Sequence, residues 1–141
     1  MKKNVRLRIT ALQRDETGQD ETISLESDGI YGDNGKFKYV SYEETELSGL
    51  SGTTTTVRMY PDRCVLTRTG SFMQRIEYIP GKETRAGYET PAGTIPVTVV
   101  TKKLEDSLTD EGGEFRLVYE VEVTGLFIHL NEMIIRTWEE P

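Results

Sequence analysis

Between Asn4 and Leu12 the chain alternates: Val5, Leu7, Ile9 and Ala11 fall on one side, Arg6, Arg8 and Thr10 on the other. A two-residue period sends successive side chains to opposite faces of an extended strand, so one face is bound for a core and the other for water. The pattern returns in "FRLVYEVEVTG", where Phe115, Leu117, Tyr119, Val121 and Val123 share a face against Arg116, Glu120 and Glu122. No stretch carries a comparable helical period. The best helix candidate, "VTKKLEDSLTDE" over 100–111, continues a β-branched run and ends in an acidic turn, which reads as a strand end followed by a loop.

Turn signals interrupt the alternation at short intervals. "YGDNGK", "LSGLSG", "YPDR", "RTGS", "IPGK", "TPAG", "LTDEGGE" and "TGLF" each hold the Gly, Asp, Asn or Pro that a reversal needs. They delimit about eight to ten strands, and connections this short make sequential neighbours pair antiparallel. A meander of that size has edges to cover, and closure into an up-and-down barrel covers them. The expected fold is therefore all-β, one domain over residues 1–141, with a β-sandwich as the alternative.

In "YETPAGTIPVT", residues 88–98, the "TPAG" segment suits a hairpin corner, with Pro91 preset for the second turn position and Gly93 for the left-handed bulge after it. Pro96 is harder to place. It lies three residues into the next strand with no amide hydrogen for a ladder, so one neighbour there is unpaired or bulged, which marks a possible gap in the wall.

Charge narrows the partners. The formal net charge is −7, with 24 acidic and 17 basic residues, and the basic ones are scattered, which argues against a nucleic-acid partner. The N-terminal residues interleave charge with apolar positions instead of forming a secretory signal, and no apolar run is long enough to cross a membrane as a helix. The lone Cys64 fits a reducing compartment. These features predict a cytoplasmic protein, monomeric or homodimeric, with no cofactor. One histidine and one cysteine are too few for the usual zinc site, and His129, in "LFIHLNE", reads as an outward or hydrogen-bonded strand residue. No phosphate loop or nucleophile elbow is present.

The segments "YEET" (42–45), "TTTTVRMYPDRCVLTRTGSFMQRIEYIPG" (53–81) and "YETPAGTIPVTVVTKKLE" (88–105), followed by "FRLVYEVEVTG", resemble the YwiB-like family of small bacterial β-barrels. The pair Arg68 and Gly70 and the cluster Tyr88, Thr90, Pro91 and Gly93 carry the likeness most specifically. The resemblance implies a bacterial cytoplasmic barrel of lipocalin, or calycin, type that can hold a small ligand. It brings no catalytic residues.

The residues themselves point to an interior site. In "CVLTRTG", period 2 puts Arg68 on the face of Cys64 and Leu66. If that face is the interior, the guanidinium needs an anionic partner, because an unpaired buried charge costs several kcal/mol, roughly. Glu43 or Glu44 is one candidate partner, and the anionic head of a ligand is the other. If the face is a solvated rim, no partner is needed. Tyr88, Tyr119 and Gln74 would complete a mostly apolar pocket with a few polar groups, the usual make-up of a small-molecule site. The same residues fill a solid core equally well, and barrels of this strand number occur in both forms. The leading expectation is a non-catalytic barrel holding a small apolar or anionic ligand, with Arg68, Tyr88, Tyr119, Gln74 and Glu43 as the binding residues. The alternatives are a filled barrel that acts through its surface, with Leu126, Ile128 and Leu130 as an apolar patch, and an enzyme using a glutamate beside Arg68 as acid or base.

Overall fold

The structure, a computed structural model, describes residues 1–90, 92–123 and 127–139. Ten strands follow one another: β1 (Lys2–Arg14), β2 (Asp20–Asp33), β3 (Lys38–Glu43), β4 (Thr53–Met59), β5 (Cys64–Gly70), β6 (Gln74–Tyr78), β7 (Glu83–Thr90), β8 (Gly93–Asp106), β9 (Gly112–Val123) and β10 (Phe127–Trp138). Among the described residues the one helical element is a single 3₁₀ turn, Glu46–Ser48. Residues 100–111 do form the end of β8 and a loop.

All ladders are antiparallel and the sheet order is β6-β5-β4-β3-β2-β1-β10-β9-β8-β7. The first and last strands pair along their length, from Arg6 opposite Trp138 to Arg14 opposite Leu130. That pairing curls the sheet into a nearly closed barrel. The remaining seam lies between β6 and β7, which are consecutive in the chain yet share no ladder. The expectation that every short connection makes a paired hairpin fails here. Side chains bridge the seam instead: the Thr84 hydroxyl donates to Glu77 O at 2.6 Å, and Gln74 Nε2 donates to Gly87 O at 3.4 Å.

Two further features shape the wall. β2 pairs with β1 from Asp20 onward but with β3 only from Gly29, because β3 is short. The segment from Asp20 to Asp28 therefore has a free edge. Gly29 stands where β3 joins, and a Cβ there would collide with the Leu7 side chain and lie 2.8 Å from Ser41 O, so only glycine lets the strands approach. Pro96 pairs with Gly87 of β7, and the described ladder to β9 begins two residues later, at Thr98. Its missing amide hydrogen thus falls outside the described β8–β9 ladder. Pro91 lies outside the described residues.

Most of the predicted inward positions are buried; Tyr119 and Val121 are half-buried and Ala11 is exposed, all three lining the cavity. Val5, Leu7, Ile9, Phe115, Leu117 and Val123 are buried, while the facing-out Arg8 pairs with Glu26 and Arg116 with Glu132. At one end, called here the lower end, the loop after β8 folds under the barrel and places Leu108 in the core at 1 % exposure. Lys38 Nζ fastens that plug, donating to Leu108 O at 2.7 Å and lying 2.9 Å from Asp106.

Candidate functional site

The interior is stacked in rows, because residues opposite one another in antiparallel strands share a face. In one row Met59 stands between Lys38 and Cys64, and Cys64 faces Tyr78. Next comes an apolar row, Val40, Val57, Leu66 and Ile76. The third row is polar: Tyr42 lies opposite Thr55, Thr55 opposite Arg68, and Arg68 opposite Gln74. Above the floor made by the first two rows lies a cavity of about 560 Å³, within the range of small-molecule sites.

Arg68 faces the interior, as its parity with Leu66 requires. Its Nη1 donates to Gln74 Oε1 at 2.6 Å, but its Nε is buried and has no hydrogen-bond partner. Gln74 in turn reaches the seam through Gly87 O, so the row runs from β3 across to β7. Glu44 stands one step beyond this row, its backbone N–H donating to Thr53 O, and its side chain reaches back to it. It is only 8 % exposed, and its Oε1 accepts the Thr55 hydroxyl at 2.8 Å. Glu43, the carboxylate expected to bind, is exposed and does not border the cavity. The reason is parity: Val40 and Tyr42 point inward, so position 43 points out and 44 returns. That signal was present in "KYVSYEE" but requires knowing where the strand ends.

The tyrosines line the chamber. Tyr78 and Tyr119 meet edge to face at 4.8 Å between ring centres, and both border the cavity. Burial raises the pKa of both phenols, so they stay protonated at neutral pH. Tyr42 is raised in the same way, by burial first and then by the Glu44 charge. The Tyr88 side chain lies outside the described residues. His129, read as outward or hydrogen-bonded, faces the cavity mouth, with Nδ1 2.8 Å from Gln13 Nε2. Ile23 and Leu25, from the free-edged segment of β2, and Ser48 and Leu50, of the loop after β3, also line the cavity. Among the described residues no group of three His, Cys, Asp or Glu side chains is placed to hold a metal ion. On the outer face of β10, Ile128 is 46 % exposed and Leu130 is half-buried, while Leu126 lies outside the described residues.

The chain matches a protein family and a solved β-barrel structure. The family model described as "Domain of unknown function (DUF1934)" matches residues 7–135. The chain belongs to the DUF1934 family. A relative is the uncharacterised β-barrel protein YwiB of Bacillus subtilis (strain 168), 25 % identical over 122 residues, which are 86 % of this chain and 84 % of YwiB. The crystal structure of the ywiB protein from Bacillus subtilis superposes with a TM-score of 0.87 at 23 % identity, covering 99 % of this chain and 94 % of that one. The DUF1934 chain therefore shares its β-barrel fold with YwiB over almost its whole length.

Proposed function

We propose that this DUF1934 protein is a non-catalytic binding barrel whose chamber holds a small, partly apolar molecule with an anionic group seated on Arg68. One observation carries the reading: Arg68 lines a cavity of about 560 Å³ while its Nε–H is buried without a hydrogen-bond partner. An unsatisfied buried donor costs about 1–3 kcal/mol, more on a charged group, and an anionic oxygen toward which the guanidinium turns from the wall would remove that cost. Apolar walls from Leu66, Ile76, Val97 and Val99 suit the rest of the molecule, with Tyr119 and Gln74 beside it. The lone buried Cys64 supports a cytoplasmic setting, where a free thiol persists.

Native mass spectrometry of freshly purified protein tests the reading. A small-molecule mass retained by the wild type and absent from Arg68→Ala is the expected result. An apo mass for both proteins, with no adduct from added carboxylate probes at millimolar concentration, overturns it.

A further inference from the structure

Arg68 in the polar row and Glu44, which reaches that row from the end of β3, put two opposite charges on the cavity wall, and together they define the ligand's head more closely than Arg68 does alone. Glu44 is buried and keeps acceptor capacity, since a carboxylate offers about four lone-pair positions and the Thr55 and Tyr42 hydroxyls take two. Thr55 stands directly opposite Arg68 on the adjoining strand, and adjoining strands run about 4.8 Å apart. Both groups therefore act within the reach of a single head group. Tyr42, next to them, responds to both: the Glu44 charge raises its pKa and the Arg68 charge lowers it.

An anion alone on Arg68 would sit beside the Glu44 carboxylate, and like charges repel strongly where water is scarce. A cation alone on Glu44 would meet Arg68 with the same result. A head carrying both signs meets each charge with its opposite and adds no net charge to the chamber. Resting on the binding reading above, we infer that the cavity takes a zwitterionic head on an apolar tail, with a carboxylate on the Arg68 guanidinium and an ammonium on the Glu44 carboxylate. The chemical class is that of α-amino acids with a large apolar side chain. The tail lies among Leu25, Leu66, Ile76, Val99 and Met133.

Three probes with the same aromatic tail separate the possibilities: L-phenylalanine has both charges, hydrocinnamate only the carboxylate and phenethylamine only the ammonium. Isothermal titration of the full chain is expected to rank phenylalanine tightest by about tenfold or more, a difference of about 1.4 kcal/mol. Glu44→Gln should remove that advantage and leave hydrocinnamate unchanged or tighter, and Arg68→Gln should do the converse for phenethylamine. Hydrocinnamate binding as tightly as phenylalanine overturns the zwitterion and leaves the Arg68 anchor standing. Heat from none of the three, together with no retained mass in native mass spectrometry, overturns the binding reading itself. The wild-type ranking decides the matter even if a variant fails to fold.

Discussion

Phe115 and Leu117 on β9 have no exposed surface, whereas Tyr119 and Val121, next on the same face of the same strand, border an open chamber. Alternation is identical in the two halves of the barrel, so alternation does not decide which half is solid. The lower half is filled because rows from opposite walls meet there and Leu108 plugs the end. The upper half is hollow because β3 is short, β2 loses its second neighbour over Asp20–Asp28, and the inward row carries polar groups that bond along the wall. A two-residue period tells which way a side chain points, and the distance to the opposite wall determines whether it is packed.

The contrast can be broken first in the solid half. Leu117→Ala should cost about 2–5 kcal/mol, because surroundings packed on all sides relax only in part around a new cavity. Urea unfolding would show it as a lower midpoint with unchanged slope. A loss below about 1 kcal/mol would mean the lower half is loosely filled.

Alkaline pH probes the boundary between the halves. Burial pushes the Cys64 thiol up to about 12 and raises Tyr42, Tyr78 and Tyr119 as well, so the folded barrel keeps these groups neutral. The unfolded chain ionises its cysteine near pH 8.5 and its tyrosines near pH 10, roughly. Stability is therefore full below about pH 8.5 and falls as pH rises beyond it, by about 3 kcal/mol at pH 10.5 for Cys64 alone. Urea midpoints at pH 8 and 10.5 measure this fall, and Cys64→Ala should make it shallower. An equal fall in that variant would count against the assignment to Cys64.

Smaller effects are expected in the hollow half. Leu25→Ala removes the same atoms as Leu117→Ala, but from a half-buried position at the cavity mouth, so the loss should be under about 1 kcal/mol. Smallest is Arg68→Met. Removing a guanidinium with an unpartnered Nε should change the stability of the empty barrel by no more than about 1 kcal/mol in either direction, while ligand retention disappears. A much larger loss would make Arg68 a structural strut of the seam.

Much of the site was legible in the residues. The inward face of Arg68 followed from Cys64 and Leu66, and Tyr119 from Phe115 and Leu117, because a strand preserves parity over its whole length. Glu43 and Glu44 were both candidates, and parity counted from Val40 and Tyr42 separates them in favour of Glu44, although β3 itself ends at Glu43. The sequence offers Gln74 as a lining residue of the same pocket as Arg68 but gives no sign of its role across the β6–β7 seam, since a short "IPGK" connection ordinarily signals a paired hairpin.

The residues by themselves determine the strands, their facing and their antiparallel order, since these depend on local periodicity and on turns of a few residues. Tertiary structure alone decides that the termini pair, that the seam falls between β6 and β7, and that one half of the barrel stays hollow. Those outcomes depend on the accumulated offset and length of all ten strands around the closed wall, a sum over distant segments that no local stretch contains.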